Sequence, residues 1–504
     1  MATSKSPENV VIAGETTDVE LAQVSKSTPA NTIIAKRSDT DPFLVAFAQP
    51  YDAENPLDWP TSRKWLVTDV LSATGFNRIM VSTIMAPALT TIAKELAMSP
   101  TEAAMSMSIY LLATAFGPLF IGPLSEIYGR SFVLHSSNVW FLVWNIVCGF
   151  AETKGTLIAA RFLAGFGASA IYALAGGVLG DLWRPEERGK STGAYLLIPL
   201  LAVAVGPIIG GFIAENSTWR WMFWSTSIFQ AAMITVSFFS FQETSGALIL
   251  RKRAALLRKE TGIAAYYTLN SLLDGDRSRL RIISKALTRP IRLLLFHPII
   301  QIQAVIYGFD YGILYIVLST FSDLWKDRYG QSVEISGLHY IAVSMGELVA
   351  SQIGGMMMDY LWKRAKRENP APESRIPLVF PGCVIGSVGM LIYGWTAEYH
   401  LHWAVVDVGV FVLLFGLQLG GPPMTGYVIE AYPEHTSSAM AATQFVKSLT
   451  AFCFPLFAPT MYNVLGYGWS NSLLALLGLM LGIPLPWWLW KNGARLRAKA
   501  GTTY

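Results

Sequence analysis

Five ionisable side chains interrupt stretches that are otherwise apolar: Arg78, Arg161, Asp310, Glu347 and Lys447. A lone charge deep in an apolar helix is costly unless a counter-charge, water or a ligand meets it. A carboxylate held ionised by a nearby cation is also a place where a proton can compete with another ligand, so the chemistry on offer is proton exchange rather than bond making. Arg78 and Asp310 carry the most information. Each lies about a dozen residues, roughly 18–20 Å of helical rise, from the start of its apolar run. Thr74, Asn77, Ser82 and Met85 accompany Arg78 at helical spacing, and Gln303, Tyr307, Tyr311 and Tyr315 accompany Asp310. Such polar and aromatic faces do not suit contact with lipid. Protonation of Asp310 is therefore expected to release Arg78 or a bound compound, so that proton and cargo compete for one site; the competing reading is a permanent ion pair that only locks the fold. Glu347 and Lys447 form an alternative pair. Arg161 shares a face with Gly165, Ala168 and Tyr172 and is read as buried, in proton coupling or cargo contact, rather than snorkelling to the surface. Glu430 reads as a helix-end charge and His135 as a structural histidine.

Such residues need elements that hold them at depth, and the composition says which. The chain has 504 residues, of which 52% are hydrophobic and only 14% charged. That is too apolar for a soluble enzyme of this length. A net charge of +4 gives no footprint for nucleic acid. Cys148, Cys383 and Cys453 sit in apolar runs without metal-ligand spacing. No GxSxG, HExxH or phosphate-binding loop is present, so neither an enzyme nor a cofactor nor ATP as energy source is expected, and a proton gradient would drive the work.

Runs long enough to cross the bilayer as helices recur at 65–93, 103–127, 132–151, 156–180, 193–214 and 219–241, and again at 294–318, 335–360, 378–397, 403–429, 439–465 and 470–490. The expected fold is an all-α polytopic membrane protein with twelve transmembrane helices in two six-helix halves, 63–241 and 294–490. Spans one, four, seven and ten would line a cavity between them. Residues 1–62 read as a disordered cytosolic tail, 242–293 as a basic cytosolic linker with an amphipathic helix on the inner leaflet, and 491–504 as a cytosolic tail. Basic residues gather on the side of both termini, as the positive-inside rule requires. The sequon at Asn216 abuts Trp219 in a very short loop and is read as unglycosylated.

The run GPLSEIYGR, residues 122–130, resembles the major facilitator signature between spans two and three. AARFLAGFGAS around Arg161, GDLWRPEERGKSTG after it, and VGPIIGG at 205–211 follow in the order that family shows. ENPLDWP near the start and FVKSLTAFCFPLFAPTMYNVLGYGWSNSLL in the second half are similar to the fungal twelve-span drug:proton antiporters. The resemblance implies proton-coupled efflux of a drug, toxin or secondary metabolite across the plasma membrane by a monomer. Proton-coupled uptake of a nutrient on the same fold is the alternative, and a non-transporting sensor a third reading. The resemblance also implies that Gly122, Glu126, Gly129, Arg130, Asp181 and Arg188 form a gate network holding the outward-open state. Gly206, Pro207, Gly210 and Gly211 would form a bent, tightly packed element that accompanies exporters. Glu126 and Lys447 depart from the pattern, which favours Asp and Arg there, and Lys447 keeps the charge while losing bidentate geometry.

Overall fold

The computed structural model describes residues 41–274, 279–365, 372–432 and 436–500, and a few side chains within these, Arg188 among them, lie outside the described residues. Ten stretches are helical, long and apolar enough to cross a bilayer. One of them, Thr436–Ala498, is two spans parted at Gly466, whose φ of 72° suits a residue without a side chain. Thr61–Thr83 adds a further span that a hydropathy criterion passes over, because Arg63, Lys64, Asp69 and Arg78 dilute its apolar character. Its 23 residues rise about 34 Å, enough for the hydrocarbon layer. Twelve spans result among the described residues.

Local sequence sets the boundaries. Ser99 accepts the Glu102 N–H (3.2 Å) while the Glu102 carboxylate accepts the Ser99 N–H (2.8 Å), and Pro100 occupies the first helical position, so span 2 (Pro100–Tyr128) starts on a capping box. Gly129, at φ 100°, ends span 2 and lets span 3 (Arg130–Gly149) begin on the next residue. Span 4 covers Lys154–Leu182, span 5 Lys190–Asn216, span 6 Arg220–Ser240, span 7 Pro298–Arg328, span 8 Val333–Met358, span 9 Pro372–Glu398 and span 10 Trp403–Ala431. Span 1 packs on span 5, span 2 on span 4, span 7 on span 11, and span 9 on span 10. Spans 2 and 5 meet spans 11 and 8 of the second half.

The described parts of 1–58 and 246–277 form a second compact unit. Here the expectation of a disordered tail fails for residues 41–58. Asp52 accepts the Ala48 N–H (2.9 Å) and, from the helix Gly246–Thr261, two hydrogen bonds of the Arg253 guanidinium at 2.8 and 3.0 Å. That guanidinium holds the Asp52 carboxyl down at about 2. Val45 N–H donates to the Tyr267 carbonyl (2.8 Å) and Tyr267 N–H to that of Phe43 (3.0 Å). A polar segment escaped notice because its order comes from residues two hundred positions away. The linker's last helix, Arg279–Phe296, lies against spans 2 and 11 with Leu293 fully buried and Ile291, Leu295 and Phe296 exposed.

Candidate functional site

Span 1 and span 4 carry two arginines into the first half. Arg78 is 2% exposed. Its Nη1 donates to the Ala168 carbonyl (3.2 Å), its Nη2 donates to Asn138 Oδ1, and its own carbonyl accepts the Tyr110 hydroxyl (2.9 Å). Arg161 is fully buried and donates to three backbone carbonyls: Val81 (2.9 Å), Ser106 (3.3 Å) and Met107 (3.3 Å). Its guanidinium also lies 4.6 Å from the Tyr110 ring centre. Because those carbonyls belong to spans 1 and 2, Arg161 ties three helices together. Asn77 donates to the Thr226 carbonyl (3.2 Å) and Gln230 Oε1 (3.0 Å), joining span 1 to span 6. Carbonyl dipoles can solvate a buried guanidinium, but a proton cannot switch them off. Both guanidiniums are held by carbonyl and amide oxygens of neighbouring helices.

The titratable centre is in the second half. The Lys447 ammonium on span 11 sits 4.3 Å from the Tyr311 ring centre and 5.6 Å from that of Tyr307. Glu347 on span 8 and Asp310 on span 7 both lie within its electrostatic range, and neither forms an ion pair with it inside 4 Å among the described residues. Asp310 faces a cavity of about 30 Å³ lined by Cys383, Ser387, Gly416, Gly420 and Gly482, room for about one water. Glu347 is 6% exposed, and its Oε2 has no hydrogen-bond partner among the described residues. Tyr311 and Tyr315 lie beside Glu347, their ring centres 5.4 Å apart, and Tyr315 reaches Ser82 of span 1. Tyr172 of span 4 lies within electrostatic range of both tyrosines and is 39% exposed. The Tyr307 hydroxyl bonds Thr425 Oγ1 (2.8 Å), and Gln303, fully buried, accepts from Thr443 (3.4 Å).

The two ends of the bundle differ. At the end where span 1 finishes, Lys326 Nζ donates to the Pro87 carbonyl (3.3 Å) and to Thr90, and Ser322 to the Pro87 carbonyl (3.5 Å). A Cβ on Gly211 would lie 2.9 Å from the Val333 carbonyl oxygen, and one on Gly337 2.7 Å from that of Pro207. Span 5 and the start of span 8 therefore touch backbone to backbone, and this end is closed. At the other end the ion pairs stay within one half among the described residues. Arg130 Nε meets Asp181 Oδ2 (3.3 Å), Arg130 Nη1 donates to Ser125 Oγ (2.5 Å), and Glu243 accepts the Arg130 and Ser131 N–H groups (2.9 and 3.3 Å). In the second half Arg375 pairs with Glu430, and Arg497 with Glu373 in a two-pronged contact at 2.8 and 2.9 Å.

A sequence model of the Major Facilitator Superfamily matches residues 71–455. The chain belongs to the major facilitator superfamily. Relatives of this facilitator include "Probable efflux pump mfs2" of Aspergillus flavus, 53% identical over 84% of this chain and 100% of the relative. "Efflux pump vrtL" of Penicillium aethiopicum is 41% identical over 92% of each. Among solved structures, the xylose transporter XylE from E. coli in a partially occluded inward-open conformation superposes with a TM-score of 0.62 at 16% identity, over 86% of this chain and 98% of that one. A bacterial homologue of the human lysosomal transporter Spinster gives 0.61 at 11% identity, over 88% and 99%. The protein is a membrane transporter of this fold, not an enzyme.

Within the facilitator fold the expected partnership of Arg78 and Asp310 does not form. Equal depth placed them at one level, but Asp310 faces the cavity lined by Cys383 and Ser387 within its own half, while Arg78 is held by the Ala168 carbonyl and Asn138. The element Gly206–Gly211 lies within one continuous helix, Pro185–Asn216, that includes Pro199 and Pro207. The glycines there serve close approach, Gly206 against Thr83 and Met80, Gly210 against Ile84, and Gly211 against span 8. Gly122 is free of close neighbours and Glu126 is exposed, while the side chain of Arg188 lies outside the described residues. Sequence reasoning missed Glu243, which caps span 3 where Gly129 offers no side chain, and the pair Arg375–Glu430 completed by Glu373–Arg497. It also missed His339, whose ring nitrogens meet Asp407 Oδ2 (2.7 Å) and Gln331 Oε1 (2.8 Å) while the ring stacks on Trp325 at 3.7 Å.

Proposed function

We propose that this transporter exports a small organic compound, a drug, toxin or secondary metabolite, in exchange for protons by alternating access. The observation that carries the reading is the arrangement of Lys447 with two interior carboxylates, Glu347 and Asp310, neither locked into a close ion pair. A carboxylate in that position is ionised by the nearby ammonium and can still accept a proton when the cargo leaves. Asp310, beside a water-sized cavity, takes the proton without blocking the space between the halves. The names of the relatives, efflux pumps of fungi, support export over uptake. The clustering of basic residues at the end bearing Arg130, Lys190, Arg289 and Arg497 supports cytosolic termini. A plasma-membrane location and a monomeric state complete the proposal, and nothing beyond a proton gradient is needed as energy source.

The test is retention of a panel of fluorescent or toxic aromatic compounds in cells expressing the protein, with and without a protonophore. Lowered retention that the protonophore restores supports exchange, and Asp310→Asn should then abolish the coupling at normal surface level. Raised retention on expression would overturn export, and a normal proton dependence in Asp310→Asn would discard the role of Asp310.

A further inference from the structure

The interior charge selects among cargoes. Across its middle turns the bundle carries three cations, Arg78, Arg161 and Lys447, against two carboxylates, Asp310 and Glu347. With both carboxylates ionised the interior keeps one positive charge in excess, and each proton taken up adds another. A permanently cationic compound would meet that excess where water screens it poorly. Glu347, by contrast, keeps one buried acceptor oxygen without a hydrogen-bond partner among the described residues, which a donor from a ligand would satisfy. Lys447 does not fill it, since its ammonium is turned over Tyr311 at 4.3 Å. Tyr311 and Tyr315, their ring centres 5.4 Å apart and within electrostatic range of Glu347, and the partly exposed Tyr172 supply aromatic faces from both halves.

We infer that the cargo is an uncharged aromatic compound bearing a hydroxyl group, its ring held among Tyr172, Tyr311 and Tyr315 and its O–H donating to Glu347 Oε2. This rests on the proton-exchange proposal above and gives it a sign. An ionised carboxylate is a strong acceptor, whereas a protonated one has lost the charge that strengthens the bond, so a proton that passes from Asp310 to Glu347, the second carboxylate near Lys447, weakens cargo binding, as exchange requires. An organic anion would have the opposite linkage: it would bind Lys447 best with Glu347 protonated and would travel with the proton.

The test is equilibrium dialysis of the purified full-length protein in detergent against three probes of one size: β-naphthol, its methyl ether and the permanent cation N-methylquinolinium. β-Naphthol is expected to bind at least about tenfold more tightly than the ether and the cation at about pH 7, with the advantage shrinking at about pH 5. In Glu347→Gln the advantage should fall below about threefold, because a neutral amide oxygen is the weaker acceptor. If the ether binds as well as β-naphthol, if the cation binds more tightly than either, or if none of the three binds, the inference is wrong, whether or not Glu347→Gln folds. Dialysis reads binding without a gradient. A protonophore without effect in cells would therefore refute exchange and leave the binding order standing, and an inverted binding order would refute the cargo class and leave exchange standing.

Discussion

Replacing Gly211 by alanine places a Cβ 2.9 Å from the Val333 carbonyl oxygen and 3.2 Å from Glu334 Cα, both backbone atoms of the other half. Neither can rotate away, so spans 5 and 8 must part by roughly half an ångström or accept an overpacking cost of about 1–3 kcal/mol. The cost falls only on the state in which this end is closed, because opening carries span 8 away from span 5. At 1.36 kcal/mol per tenfold, the closed-to-open ratio should fall by about 5- to 150-fold. Ser336, fully buried and 2.9 Å from Ser322 at this contact, is the place for a reporter. With Cys453 replaced by serine, Ser336→Cys should react slowly with a membrane-impermeant thiol reagent applied outside, and several-fold faster once Gly211→Ala is added. Gly210→Ala is the control: its Cβ collides with the Ile84 carbonyl oxygen of span 1, inside the first half, in either state. It should lower the folded yield without changing the labelling rate of what folds. Unchanged labelling in Gly211→Ala at normal yield would refute the assignment of the span 5–span 8 contact as the closure.

Arg161→Ala leaves the Val81, Ser106 and Met107 carbonyls without their donor and should cost at least about 3 kcal/mol, seen as loss of monodisperse protein on size-exclusion chromatography; normal yield with altered pH dependence of transport would favour a coupling role instead. Glu243→Ala removes the acceptor of the Arg130 and Ser131 N–H groups, a capping loss of about 0.5–2 kcal/mol, and should lower the temperature of thermal aggregation modestly without changing cargo selectivity. The Asp52–Arg253 contact should be indifferent to pH from 8 to about 5. Asp52 titrates at about 2 when docked and 3.8 when free, so the contact contributes on the order of 2 kcal/mol above that range and loses it as pH falls from about 4 toward 2. Proteolysis within residues 41–58 by an acid-active protease should rise only there, and Arg253→Ala should expose the segment at neutral pH as well.

The spans were legible in the sequence because burial in lipid needs nothing but length and apolarity. Where sequence reading went astray, the deciding contact was between faces, not depths. Arg78 and Asp310 do stand at comparable levels of equivalent helices, yet a difference of one residue sends Asp310 toward Cys383 and Ser387. Glu347 and Lys447 were legible as candidates because a charge in a membrane helix demands an account, whereas their arrangement around Tyr311 depends on how spans 7, 8 and 11 pack. His339 escaped notice because its partner Asp407 lies 68 residues on, and no local pattern announces such a pair.

The two halves repeat one device and divide another. At the end bearing Arg130, Arg130 at the start of span 3 meets Asp181 at the end of span 4, and Arg375 at the start of span 9 meets Glu430 at the end of span 10, the equivalent positions under the internal repeat. After the sixth span of each half a third group completes the set, Glu243 in the first and Arg497, through Glu373, in the second. The charges there are reversed and the contacts differ, a carboxylate on backbone N–H groups in the first half and a guanidinium on a carboxylate in the second, so what the repeat preserves is the tie between helix ends, not a signature of residues. The interior does not repeat. The first half holds its cations on carbonyls and amides, whose dipoles no change of pH removes, and the second holds Lys447 near carboxylates that a proton can discharge. Under the exchange proposal, one protonation event would become one change of access if the two halves share a surface that protonation alters. Tyr311 and Tyr315, within electrostatic range of Glu347 and of Tyr172, with Tyr315 also meeting Ser82, are where the proposal places that surface.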